Sequence, residues 1–266
     1  MERIERIKQA IANKSEMIEM KKAAIKNADS VAYTPTVTKE DAVKAEVEKK
    51  QEDGTLIKTV VLNTYNWMDS HEDVHLDGVF TKTVNERGPK GANKIFHLAD
   101  HEYKVTAKVG KPMDIYEKQV SWKELGIDKS GFTTALMMKS EIKKEWNPRM
   151  YQAYKDGEID QHSVGMSYIK IELAADDPDN QEAQKLYNQV LPLLGNMDEA
   201  AEKGYFFVVK EARLKEGSAV LMGSNTLTPT MKDGAAESTP ESEPLQDTQK
   251  DQLQELINKF NSQFNN

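Results

Sequence analysis

The sequence contains no cysteine, which removes disulfides, thiolate nucleophiles and thiolate zinc sites together. It has no apolar run long enough to cross a bilayer, so no membrane-spanning helix is expected. Its first residues lack the apolar stretch of a secretory leader, and a soluble intracellular protein is the expectation. Excess positive charge is missing too: 36 basic residues stand against 44 acidic ones, a net charge of -8. That balance argues against a general nucleic-acid binder. What is there is a chain of 266 residues, 38% hydrophobic, enough for one core of ordinary size with residues left for extensions.

The first segment places Ile4, Ile7, Ile11, Ile18 and Ile25 on a seven-residue repeat, with Lys14 and Lys21 at its weak positions. This pattern predicts a helix that needs a partner surface. Seven basic and four acidic residues give residues 1–28 a charge of +3, opposite in sign to the whole chain. The Thr- and Pro-containing stretch from Tyr33 to Thr38 reads as an extended linker, which puts a boundary near residue 40. A hairpin is expected over 43–63 around Glu52, Asp53 and Gly54. Strands are predicted at 93–99, 105–110, 113–122 and 131–138, and helices at 80–86 and 141–155. Short strands at this spacing suggest a compact antiparallel sheet or barrel. Residues 174–204 read as a helical insert, 205–214 as a strong strand, and 233–251 as a linker with six acids and one lysine, too polar to order itself. Leu253, Leu256, Ile257, Phe260 and Phe264 then form an amphipathic helical stripe.

The stretch from Gly157 to Glu172 carries the clearest chemical signal. A glycine-led turn enters a segment of period-two alternation, so Ser163 sits at the mouth of a strand with its hydroxyl rigidly placed. His162 then points to the opposite face, and any base for Ser163 must come from elsewhere. His101, at the end of an apolar strand, could face a cleft as a base, and His97 lies four residues before it. Glu216, at the end of another strand, could orient a histidine through its second N–H. His71, Glu72 and His75 form a literal H-E-x-x-H, which on a helix would hold zinc. Asp69, Ser70, Asp77 and Gly78 around it predict a polar loop instead.

Four blocks taken in order resemble a known family. Asp69 to Phe80 resembles the Asp-Ser-x-x-Asp-x-x-x-x-Gly-x-Phe block of the tailed-phage prohead (capsid maturation) proteases of the HK97 type. Asp100, His101 and Glu102 are similar to that family's histidine block, Gly157 to Met166 to its Gly-x-Ile-x-x-x-Ser-x-Gly nucleophile block, and Glu216 to Val220 to its Glu-Val-Ser-Leu-Val block. The resemblance spans about residues 43–230; Met222 to Asn225 and the insert at 174–204 depart from it.

The resemblance implies an α+β fold with a mainly β core, a small antiparallel β-barrel with flanking helices of the herpesvirus assemblin type; the helical extensions expected at both ends lie outside it. The organisation expected is an N-terminal helix and linker (1–39), a protease domain (40–232), an acidic linker (233–251) and a C-terminal helix (252–266). It implies a serine endopeptidase without cofactor or metal, acting on scaffold and capsid proteins inside the immature capsid, in the bacterial cytoplasm, and on itself. Self-association is expected, nucleic-acid and membrane binding are not. Ser163 would be the nucleophile, His101 the base with His97 as its alternative, and Glu216 the orienting carboxylate. Oxyanion donors are left between backbone N–H groups near Gly165 and Arg149 or Arg213. The rival expectations are a non-catalytic scaffolding protein of the same fold, and a zinc protease using His71 and His75.

Overall fold

A computed structural model describes residues 2–23 and 54–231. The expected acidic linker and C-terminal helix, Ile25, and the hairpin's first strand lie outside the described residues. In chain order the elements are helices α1 (Arg3–Ala12) and α2 (Lys14–Ala23), strands β1 (Thr55–Thr64) and β2 (Asp73–His75), helix α3 (Thr81–Arg87), strands β3 (Phe96–Ala99), β4 (Lys108–Ser121) and β5 (Phe132–Lys143), helix α4 (Pro148–Asp156), strand β6 (His162–Ala175), helices α5 (Gln181–Val190) and α6 (Met197–Lys203), and strand β7 (Tyr205–Ala219). No helix among the described residues is long and apolar enough to cross a membrane.

The fold is α+β, built on a mainly β, seven-stranded sheet ordered β1-β5-β4-β3-β7-β2, with β6 paired to β7. The path does not close on itself, so the described residues form no closed barrel. The sheet is also not purely antiparallel, because β2 and β3 both run parallel to β7. β6 occupies one edge of β7 from Tyr205 to Ala219, which leaves the other edge to β2 and β3 in tandem. This arrangement sets the end of β3 beside β7 and the start of β6 beside the same stretch of β7.

Val60, Val61 and Leu62 of β1 are all fully buried. Val60 and Leu62 enter the main core with Leu136, Met138 and Met166, while Val61 enters a second one with Trp67, Trp122 and Met137. A strand apolar on both faces is a strand covered on both faces. Burying each such side chain stabilises the fold by about 1.5–3 kcal/mol.

Residues 141–147 differ from expectation. They finish β5 and the turn after it, and the helix starts at Pro148. Proline at the first helical position loses no hydrogen bond, and Asn147 Oδ1 accepts from Met150 N at 3.2 Å, an N-cap that fixes the start. The two strands expected at 105–110 and 113–122 are one 3-10 turn and the long β4, with a register shift between Pro112 and Asp114.

The N-terminal repeat is interrupted at Asn13. Ile7 is buried beside Ala175 and Ala183, and Met17 and Ile18 lie against the main core. Lys21 Nζ reaches Asp73 Oδ1 at 2.8 Å and the His71 carbonyl at 2.8 Å, above the Phe207 ring at 4.6 Å. Part of the isoleucine stripe is therefore covered by the chain's own β6 and α5 surface, while Ile4 is 62% exposed.

Candidate active site

Strand pairing creates the site. Ser163 is the cross-strand partner of Ser218, and Gly165 of Glu216, so the side chains of Ser163, Glu216 and Ser218 project from one face of the β6–β7 ribbon, on which Gly165 leaves a gap. β3 ends on the far edge of β7, with Ala99 beside Ala219. Two successive left-handed residues, Asp100 (φ 53°) and His101 (φ 54°), then turn the chain back over β7. This backbone costs about 1–3 kcal/mol per residue and persists only where surrounding bonds fix it. Here Asp100 N donates to the Ala219 carbonyl at 3.0 Å and His101 N donates to Ser218 Oγ at 3.1 Å.

The result is a buried imidazole–carboxylate pair. His101 Nδ1 lies 2.6 Å from Glu216 Oε1, and Ser218 Oγ donates to Glu216 Oε2 at 2.6 Å. Glu216 is fully buried and the His101 side chain is 5% exposed. A buried carboxylate must be paired and hydrogen-bonded to be tolerated, and both oxygens meet that demand. The contact assigns the Nδ1 proton to the side facing Glu216 and leaves Nε2 as the lone-pair nitrogen. His101 Nε2 is buried with no hydrogen-bond partner, so it is not bonded to the Ser163 hydroxyl either. A base in a free enzyme commonly stands this way, its bond to the nucleophile closing with substrate.

Gly165 explains the spacing of the Ser-x-Gly block. A Cβ at this position would stand 1.8 Å from Glu216 Oε1. Only glycine lets the carboxylate lie flat across β6 towards His101. Ser163 itself is buried to 5% exposure at the strand mouth, as the alternation predicts. Tyr103, two residues beyond His101, has its hydroxyl pushed up to about 12 by desolvation and by the nearby Glu216 charge.

The opposite face of the same strands carries the other histidines. His97 Nε2 lies 3.1 Å from Tyr154 Oη, Tyr154 Oη 2.9 Å from His162 Nε2, and His162 Nδ1 2.8 Å from the Thr228 carbonyl. Because that carbonyl can only accept, Nδ1 of His162 carries the proton, the tyrosine donates to its Nε2, and His97 donates to the tyrosine oxygen. Burial drives His97 down to about 3, with His162 adding to the shift, and drives His162 down to about 4. His97 pairs with Gly217 and His162 with Ala219, the face away from Ser163, so His97 is not placed to serve that hydroxyl.

The H-E-x-x-H segment is a turn and the β2 strand, so His71 and His75 do not share a helical face. His75 is buried, 3.4 Å through Nδ1 from Asn63 Nδ2, and stacked on Phe80. Asp69, His71 and Asp73 do bring ligand atoms within 4.8 Å of one another. Their oxygens already have work: Asp69 Oδ1 accepts from His71 N and Asp73 N, and Asp73 takes Lys21 and the Tyr168 hydroxyl. The Asp69 to Phe80 block is thus a capped turn seated on the core through Phe80, with Gly78 at φ 82°.

Among the candidate oxyanion donors, Arg149 is on α4, and Arg213 is exposed opposite Ser167. Two residues escaped the sequence reading. Ser218, two positions after Glu216 in an extended strand, must share its face, a signal available from alternation alone. Asn225 binds the Thr64 carbonyl at 2.8 Å and secures the chain after β7 to β1. Compared with protein-family models, curated proteins and solved structures, the chain matches none.

Proposed function

We propose that this chain is a serine endopeptidase of the prohead-maturation type, with Ser163 as nucleophile, His101 as general base and Glu216 as the carboxylate that orients it. The observation that carries the reading is the 2.6 Å contact between His101 Nδ1 and Glu216 Oε1, on the face from which Ser163 projects. These three side chains come from distant segments, His101 and Glu216 being 115 residues apart, yet the strand order β3-β7-β6 gathers them.

In this mechanism Ser163 Oγ attacks the peptide carbonyl carbon as His101 Nε2 takes the hydroxyl proton. The tetrahedral adduct collapses, the C–N bond breaks, and the imidazolium returns the proton to the leaving amine. A water molecule, deprotonated by the same nitrogen, then attacks the acyl carbon, the bond to Ser163 Oγ breaks, and the imidazolium returns the proton to Oγ as the carboxylic acid product leaves. Glu216 stabilises the imidazolium that forms in each half-reaction.

The same reading makes the open sheet a variant of the assemblin barrel. It makes scaffold segments and capsid proteins of an immature phage capsid the substrates, with self-association and self-processing in the bacterial cytoplasm. Purified wild type and Ser163→Ala, incubated with such substrates and analysed by gel and mass spectrometry, test it. Cleavage by wild type alone, retained in EDTA, is expected. Equal cleavage by both would remove Ser163 from the mechanism, loss in EDTA would favour a metal, and no cleavage by either would favour a scaffolding role.

A further inference from the structure

After β7 the chain returns to the sheet. Residues 229–231 lie antiparallel to β1: Val61 N donates to the Pro229 carbonyl at 3.0 Å, Met231 N donates to the Thr59 carbonyl at 2.9 Å, and Thr230 pairs with Val60. Thr230 Oγ1 donates to the Ile159 carbonyl at 2.6 Å, four residues before Ser163. This segment is a strap that ties β1 to the chain entering β6.

Within the strap, the fully buried Thr228 takes hold of His162, the residue before Ser163. Thr228 Oγ1 accepts from His162 N at 3.1 Å and donates to the His162 carbonyl at 2.7 Å. The Thr228 carbonyl accepts from His162 Nδ1 at 2.8 Å. A hydroxyl is donor and acceptor at once, so one side chain gives this residue what a neighbouring strand would give it. The alternation of an antiparallel ladder explains the need. Val220 N donates to the Gln161 carbonyl at 3.1 Å, so Gln161 turns its main-chain groups towards β7. His162 turns its own away, and Ser163 faces β7 again at Ser218. Consecutive residues at the strand mouth are thus held from opposite sides, by β7 and by Thr228.

A nucleophile at this position needs such a hold. β6 starts at His162, and the ends of elements are where fraying concentrates. Displacing an attacking atom by about 1 Å can lower a rate about a hundredfold. We propose that Thr228 is a positioning residue for Ser163: its contacts with His162 keep the strand mouth from fraying and hold Oγ in line with the scissile carbonyl. The proposal rests on the assignment of Ser163 as nucleophile. Two of the three contacts are to the His162 main chain, whereas Tyr154 touches only the ring. Losing the tyrosine hydroxyl therefore leaves the hold on Ser163 in place.

Full-length variants test this by the rate at which a fluorophosphonate labels Ser163, by kcat and KM, and by amide hydrogen exchange of residues 162–164. Thr228→Val keeps the shape and removes the hydroxyl. Labelling and kcat should fall at least about tenfold with KM unchanged, and exchange should quicken at least about tenfold. Thr228→Ser keeps the hydroxyl and should stay within about twofold of wild type throughout. Thr230→Val removes the strap's bond to Ile159 instead; it should lower thermal stability and leave labelling within about twofold of wild type. Thr228→Cys retains a weak donor and acceptor and should label about threefold more slowly, which decides the matter if the valine variant does not fold. Unchanged labelling in folded Thr228→Val or in Thr228→Cys would overturn the positioning role. So would an equal fall in Thr230→Val, since the strap would then only brace the fold. Exchange that quickens as expected, with no adduct on Ser163 in wild type, would leave the hold on His162 standing and overturn the nucleophile.

Discussion

A single histidine, His101, and a histidine pair, His97 and His162, stand back to back across the strands β3, β7 and β6, and they differ in one kind of partner. On one face His101 meets the Glu216 carboxylate and keeps a free Nε2. On the other, His97 and His162 meet only the Tyr154 hydroxyl and a backbone carbonyl. Burial is nearly complete for all three imidazoles. Burial alone therefore does not supply an imidazole with a counter-ion. Without a carboxylate, desolvation holds the ring neutral and structural; with one, the imidazolium has a counter-ion waiting when it forms.

The strongest way to break this comparison is to remove Ser163 or His101. Either alanine variant should lower peptide cleavage by about 10⁴-fold or more, with thermal unfolding little changed for Ser163→Ala. His97→Gln should retain activity, because its ring serves the other face.

Gly165→Ala tests the steric argument. The new methyl would overlap Glu216 Oε1, so the carboxylate must swing away from His101. A loss of about 1–3 kcal/mol in stability from overpacking is expected, together with a larger proportional fall in kcat. An alanine variant of undiminished activity would show that Glu216 has another route to the imidazole.

The opposite face sharpens the contrast through pH. His97 and His162 titrate near 3 and 4 in the folded protein, below their ordinary 6.5. A folded-state value below the unfolded one means that the unfolded chain takes up protons first as pH falls. The stability these neutral rings contribute is complete above about pH 6.5 and is lost progressively towards pH 4 and below. Thermal unfolding from pH 7.5 to 4 should show that decline, and His97→Gln should flatten it by the share of one proton. Tyr154→Phe should cost about 1–3 kcal/mol by leaving both Nε2 groups unpaired, with cleavage preserved.

Among the residues on the Ser163 face, the smallest effect on cleavage is expected at Ser218. Its hydroxyl touches no reacting atom but holds Glu216 Oε2 and the His101 amide, a positioning role. Ser218→Ala should lower kcat by roughly tenfold and leave KM unchanged; a change in KM alone would place the serine in substrate binding.

How much of this was legible in the sequence follows from the range of each interaction. Ser163 and the turn of His162 to the opposite face could be read from local alternation, as could the polar loop at Asp69. The choice between His97 and His101 could not, because it depends on two left-handed residues after β3 and on which face β7 presents. The helix expected at 141–147 failed because Glu141, Lys143 and Lys144 are good helix formers, yet Ile142 belongs to the core opposite Leu56. Here the long-range pairing of β5 overrides local propensity. The parallel placement of β2 and β3 on β7 is a non-local choice that no spacing in the sequence encodes. Gly165 was visible as a motif letter, but its reason appeared only once Glu216 lay across it.

The most direct measurement is covalent capture of the nucleophile. Full-length protein treated with a fluorophosphonate and digested for mass spectrometry should carry one adduct, on Ser163. The adduct should be lost in Ser163→Ala and slowed at least about a thousandfold in His101→Ala and Glu216→Gln. Absence of labelling in active wild type, an adduct on another serine, or labelling of Ser163 at the same rate without His101 would contradict the account.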